Sequence, residues 1–300
     1  SRLVRARRGE VGADAPPHAS DEWAFFQLLA AAWPAALARR PEEPLGPGTL
    51  DELTERLRET MRKSLREAKR FTSWARPDPA YEAAVLDYVG AALDLSRTHL
   101  FLEQFRPLQA RVARHGMVNG LAQVVLKLTA PGVPDVYRGA ELWELSLVDP
   151  DNRRPVEHAA RERLLDAVEA ARGLGPLLAH WEDGAAKLFV IRTLLRHRER
   201  FPALFARGNQ QPLEAGGEAA AHVVAFARRH GEQTLVTIVP RLPAGLERRE
   251  QGWADTVLAL DGLGTTGGWI NLLQPGDRFD DRPRLAGLLA GVPVAVLVPA

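Results

Sequence analysis

No cysteine occurs in the 300 residues. That removes disulfides, thiolate zinc sites and cysteine nucleophiles, and it is compatible with a reducing compartment, expected to be the cytoplasm. Long apolar runs are absent as well. None approaches the roughly 20 residues of a membrane span, and "SRLVRARRGE" at the start carries arginines where a signal peptide needs an apolar stretch. An excess of one charge is lacking too: 39 basic and 38 acidic residues give a formal net charge of +1. No field favours nucleic acid or an anionic membrane, and neither is expected as a partner. What is present is enough chain for about two domains, given roughly 100 to 200 residues each. It opens on Ser1 without a Met and passes through "GADAPPHASDEW", which reads as the interior of a longer polypeptide.

Residues 1–19 have no apolar period and read as a mobile lead-in. Ser20 and Asp21 can cap a helix, "EWAFFQLLAAAWPAAL", with Trp23, Phe26, Leu29 or Ala30, and Trp33 at core spacing. "RRPEEPLGPGT" is a Pro/Gly linker. Thr49 or Asp51 then opens a second helix whose stripe is Leu50, Leu53, Leu57, Met61 and Leu65. Asp78 precedes a third helix, and a fourth covers about 98–128, so residues 20–125 form a helical subdomain. Pro131, Gly132 and Pro134 stop the fourth helix, and "VPDVYRG" reads as a short strand with its sheet partners elsewhere or missing. Two helices follow, "HAARERLLDAVEAAR" and "GAAKLFVIRTLLRHRERFPALF", the second with Leu188, Ile191 and Leu195 on its apolar face.

From about residue 208 the period changes to two. "HVVAFARRHGEQTLVTIVPRL" reads as a hairpin of strands 222–228 and 233–239 joined through Arg229–Glu232, and "TVLALDG", "WINLLQ" and "VPVAVLVPA" supply further strands. Residues 208–300 are therefore expected to be an antiparallel β domain.

The densest polar segment is "LVDPDNRRPVEH", residues 147–158. Asp, Pro and Asn are ordinary turn formers, so Asp149 and Asp151 can be local caps, with Arg153 and Arg154 a solvated edge. The longer string "HGMVNGLAQVVLKLTAPGVPDVYRGAELWELSLVDPDNRRPVEH" resembles the C-terminal part of the maltooligosyl trehalose synthases, members of the α-amylase superfamily of glycoside hydrolases. "REAKRFTSW" and "DPAYE" resemble that family's helical region, and "DEWAFFQLLAAAWP" matches its opening helix loosely.

The resemblance implies a mixed fold: a helical subdomain, the last strand and helix part of a (β/α)8 barrel (126–207), and a C-terminal antiparallel β-sandwich. "GVPDVYRGAE" would be the eighth barrel strand and its exit loop, placing the DPDN turn on the active-site side. The implied substrate is a maltooligosaccharide, whose reducing-end α-1,4 linkage becomes α-1,1 by intramolecular transglucosylation. The implied substrate-region residues are Asp149, Asp151, Asn152, Arg153, Arg154, Tyr137, Arg138, Glu141 and Trp143, with Lys69, Trp74 and Asn119 as further candidates. Each has a plainer reading: Glu141 as an anchor behind the site, Trp143 as packing, Lys69 with Thr72 and Ser73 as a helix terminus. His115 and Asn119 lie four apart but make no metal site without a third ligand.

The family's nucleophile, acid and third aspartate have no counterpart segment here. They are expected upstream of Ser1, in an N-terminal barrel segment supplied by the same polypeptide or a partner, and the isolated chain is expected to be inactive. No cofactor or metal is implied. The sequence departs from the family's pattern at Gly120 (usually Ser), Arg138 (Gln), Phe71 (His) and Glu157-His158 (Asp and an aromatic). The alternatives are an α-glucan hydrolase of the same superfamily, a non-catalytic carbohydrate-binding fragment, and a helical scaffold that binds no sugar.

Overall fold

The computed structural model describes residues 16–96, 100–263 and 267–300. Most of the expected lead-in, residues 1–15, lies outside the described residues. Two compact units partition the chain: the described part of Ser1–Ala113 together with Leu145–Pro155, and Arg114–Glu144 together with Val156–Ala300.

The first unit is built on helices α1 (Ala19–Ala32), α2 (Ala35–Arg39), α3 (Asp51–Ala68) and α4 (Pro79–Leu93), with the start of α5 (Leu100–Thr129). α3 packs against α4 and α1. The stripe expected on α3 is its buried face: Leu53, Leu57, Met61 and Leu65 are inside, and Leu50 precedes them. Asp78 caps α4 as expected, its Oδ1 accepting from the Tyr81 amide at 3.0 Å.

α1 differs from its expected form in three ways. Its cap is His18, whose ring accepts from the Ser20 amide, while Ser20 and Asp21 are helical. Its buried face is Asp21, Glu22, Phe25, Leu29 and Ala32, and Trp23 is 65% exposed. The reason is polar pairing: Asp21 accepts from the Tyr81 hydroxyl at 2.5 Å and Glu22 from Tyr88 at 2.7 Å, so two carboxylates turn inward and rotate the helix. The helix also stops at Trp33, because Pro34 lacks an amide and disfavours helical backbone before it.

The second unit carries α6 (His158–Ala170), α7 (Leu174–Leu177), α8 (Ala185–Arg200), α9 (Pro202–Arg207), α10 (Pro243–Glu247) and α11 (Leu285–Leu288). Its strands are β1 (Asn209–Leu213), β2 (Ala215–Gly216), β3 (Val223–His230), β4 (Gln233–Pro240), β5 (Val257–Leu258), β6 (Trp269–Asn271), β7 (Arg278–Phe279) and β8 (Ala295–Pro299). One six-stranded antiparallel sheet runs β1-β3-β4-β8-β6-β7, and β2 pairs with β5 in a separate ladder. The hairpin is tighter than expected, its turn only Gly231 and Glu232, with Gly231 at φ +59°. Both faces of the sheet are covered. Leu235 and Val239 of β4, with Val296 of β8, join a core with α5, α6, α8 and α9; Val236, Ile238, Ala295 and Leu297 face a second core with Trp269, Leu258 and Leu285.

Two expectations need correction here. Residues 133–139 form no strand: the segment is irregular and ends in a turn at Arg138–Ala140, as an extended run must when no neighbouring strand supplies a ladder. The inner face of α8 is Leu188, Ile191 and Leu194, with Leu195 exposed, and Pro202 starts a new helix after Phe201. Arg228 of β3, only 1% exposed, donates to the carbonyls of Asn209, Thr129, Leu204, Phe205 and Gly208, closing the C-terminal ends of α5 and α9.

Candidate functional site

The DPDN turn lies in the first unit and is organised by α3. Asp151, 7% exposed, opens a single 3-10 turn, Asp151–Arg153. Arg56 grips its carboxylate with both prongs, Nε to Oδ1 and Nη2 to Oδ2, each 2.9 Å. The same Nη2 donates to the Leu145 carbonyl at 2.9 Å, and the Leu147 amide donates to Oδ2 at 2.6 Å. Arg154 adds an ion pair at 3.2 Å from Asp151 and reaches Glu52 at 2.6 Å. Burial pushes the Asp151 carboxyl up, but the Arg56 fork, the Leu147 amide and Arg154 outweigh it and hold the group below its ordinary value. With these lone pairs occupied, Asp151 shapes the loop.

Its neighbours face outward. Asp149 pairs with Arg153 at 2.5 Å, and Lys63 of α3 donates to the Asp149 carbonyl at 2.8 Å. Asn152, Arg153 and Arg154 are exposed. The loop thus presents an amide and two guanidinium groups, with one carboxylate among them, on a base fixed by a buried ion pair. That arrangement suits hydroxyl groups, which need both donors and acceptors.

Lys69 ends α3 in the left-handed region at φ +55°. Trp74 is exposed, with the Arg66 guanidinium 4.8 Å from its ring centre. Thr72 is buried and structural: its hydroxyl donates to Glu82 at 2.6 Å and accepts from the Asp78 amide. Ser73 accepts from the Arg76 amide at 2.9 Å.

The remaining candidates lie in the second unit. Tyr137 and Arg138 are exposed. Glu141 is held by Arg161, which also donates to the carbonyls of Gly139 and Glu157 at 3.1 Å. Burial raises the Glu141 carboxyl, while its own backbone amide and Arg161 lower it further, so it stays ionised. It is an anchor for the Gly139–Trp143 segment. Trp143 is partly buried; its indole N–H reaches the Trp181 carbonyl at 2.5 Å, and the Lys187 ammonium lies 5.4 Å from its ring. Lys187 donates to the Leu142 carbonyl at 2.7 Å, and burial, then Lys127, lower its pKa to about 8. Asn119 is exposed, and His115 meets Glu247 at 2.9 Å. Among the described residues no group of three or more acidic or histidine side chains could hold a metal ion, and no helix is long and apolar enough to cross a membrane.

No family model matches the chain. A curated Mycobacterium tuberculosis protein bearing the name maltooligosyl trehalose synthase is 37% identical over 243 residues, which are 81% of this chain and 28% of that protein. The solved maltooligosyltrehalose synthase of Arthrobacter ramosus is 33% identical with a TM-score of 0.75, covering 100% of this chain and 34% of that one. The chain is a relative of the maltooligosyl trehalose synthases. It spans about a third of the length of the relatives it matches, which fits a C-terminal portion. A Sulfolobus tokodaii structure described by the same activity, at 22% identity and a TM-score of 0.66, supports the fold alone.

Two departures from the synthase pattern acquire a physical setting. A β-carbon on Gly120 would stand 3.0 Å from Cζ3 of Trp143, so the glycine makes room for that indole. Phe71 stacks on Tyr81 with ring centres 4.7 Å apart. Arg138 is exposed, and nothing in the structure explains its choice over Gln. Sequence reasoning missed Glu52, Arg56 and Lys63 as the loop's supports. Their spacing gives one strip of α3, but a charged strip opposite a leucine stripe reads first as a solvated face.

Proposed function

We propose that the chain forms the C-terminal part of an enzyme that converts the reducing-end α-1,4 linkage of a maltooligosaccharide to α-1,1. In that reaction the α-1,4 bond is cleaved onto a carboxylate outside this chain, and the released glucose turns and attacks through its anomeric hydroxyl. Isomerisation and hydrolysis differ only in which nucleophile arrives, so exclusion of water decides the product. The loop Leu145–Pro155 carries the contribution of this chain: Asp149, Asn152, Arg153 and Arg154 meet sugar hydroxyls, Asp151 and Arg56 hold them in place, and the chain alone does not turn over substrate. The observation that supports this reading most is the 37% identity to a synthase over 243 residues, together with a polar loop fixed on a buried fork.

The test joins these 300 residues to the preceding two thirds of a synthase relative and supplies maltopentaose. The joined protein should release trehalose-ended oligosaccharide, and the chain alone should release neither that product nor glucose. Asp151→Ala in the joined protein should increase the fraction of free glucose. Glucose as the sole product of the parent would favour the hydrolase; an unchanged product ratio in the variant would remove the loop from water exclusion.

A further inference from the structure

α3 has two polar strips. Glu52, Arg56 and Lys63 hold the loop; Asp51, Thr54 and Arg58, about 0.4 of a turn away, line a separate open cleft against α4. The cleft has a volume of about 730 Å³, within the range of small-molecule sites. Asp87 of α4 and Asp94 just beyond it complete its polar wall, and Leu45, Pro47 and Leu93 its apolar wall.

The guanidinium in this wall is deliberately placed by the backbone. A β-carbon on Gly90 of α4 would stand 2.2 Å from Nη2 of Arg58, so the side chain lies in a notch that only glycine leaves open. Nε of Arg58 donates to the Leu86 carbonyl at 3.3 Å, and Nη1 is 3.8 Å from Glu55, too long for a hydrogen bond. The Thr54 hydroxyl donates to the Leu50 carbonyl at 2.7 Å and keeps its acceptor capacity toward the cleft. Donors and acceptors of opposite sign therefore share one concave wall. The aspartates disfavour an anion, and Arg58 disfavours a cation.

We propose that this cleft on α3 and α4 binds a neutral, hydroxyl-rich ligand, a short stretch of α-glucan, with Asp51 and Asp87 accepting from ring hydroxyls and Arg58 donating to ring oxygens. The neutral polyol class follows from the mixed-sign wall; the choice of glucan rests on the function proposed above. Bound there, a glucan would sit on the same helix that grips the loop.

The test titrates maltotriose into the 15N-labelled 300-residue chain and follows amide shifts by NMR. Saturable shifts at Thr54, Arg58 and Gly90 are expected. Gly90→Ala should weaken them at least fivefold while keeping the fold, because alanine is the better helix former and acts only by displacing Arg58. Arg58→Gln, which needs no steric argument, should weaken them similarly. Unchanged affinity in both folded variants would overturn the proposal. Shifts confined to residues 145–155, or no saturable shift anywhere, would also overturn it and leave the proposed function, which is tested on the joined protein, standing. Preference for a diamine such as putrescine over maltotriose would overturn the neutral-ligand class.

Discussion

Arg56→Met keeps most of the aliphatic stem but removes three charge-assisted hydrogen bonds, two to Asp151 and one to the Leu145 carbonyl. The Asp151 side chain is 5% exposed and that of Arg56 14%, so this is a buried pair. Breaking such a pair from one side costs about 3–5 kcal/mol. The Leu147 amide and Arg154 stay with the carboxylate, which places the expected loss at about 3 kcal/mol. Asp151→Asn removes the charge but keeps an acceptor for Leu147, and should cost about 2–3 kcal/mol. Because both act on one interaction, the double variant should lose about 3–4 kcal/mol, leaving a coupling of roughly 2 kcal/mol. Urea unfolding of the four proteins measures this, and exchange of the Leu147 amide reports the loop itself. The Asp151 carboxyl is depressed in the fold, so its stabilisation is present above its unfolded value near 3.8 and is lost as pH falls through the lower folded value. The double-mutant coupling should therefore vanish in strong acid. Single-variant losses below about 1 kcal/mol, or additivity within about 0.5 kcal/mol, would refute the claim that the buried fork fixes the loop.

Two further predictions concern the second unit. Arg228→Met leaves carbonyls at the ends of two helices without their donor, and should cost about 3–5 kcal/mol in urea unfolding; a loss below about 1 kcal/mol would show that water replaces the guanidinium. Lys187 has a folded pKa of about 8 against 10.5 unfolded, so the unfolded chain binds more protons between those values and stability should rise with pH across that window, by up to about 3 kcal/mol. Lys187→Met should flatten that rise, and an identical pH profile would refute the assignment.

The leucine stripe of α3, the Asp78 cap and the β3–β4 hairpin were legible because each is local: a 3.6-residue period, a side chain reaching three residues on, and a two-residue period around Gly231. On α1 the expected Leu29 and Trp33 are buried but Trp23 is exposed, since the inward turn of Asp21 and Glu22 depends on tyrosines some 60 residues away. β1, with the polar sequence Asn209–Leu213, gave no alternation to find; it is ordered by its ladder to β3. The segment 133–139 had the composition of a strand and lacks one, because pairing is a property of two segments.

At the site, the sequence marked the polar turn 149–154 and, through its resemblance, the family. It placed Asp151 and Asn152 in one group. Tertiary structure separated them, burying Asp151 against Arg56 and leaving Asn152 in solvent. Residue type and spacing along the chain determined the helices, the hairpin and the family likeness, since these rest on near neighbours. Which carboxylate is a strut and which side is exposed was decided by partners about 95 positions away, because burial and pairing arise only when the chain has folded back on itself.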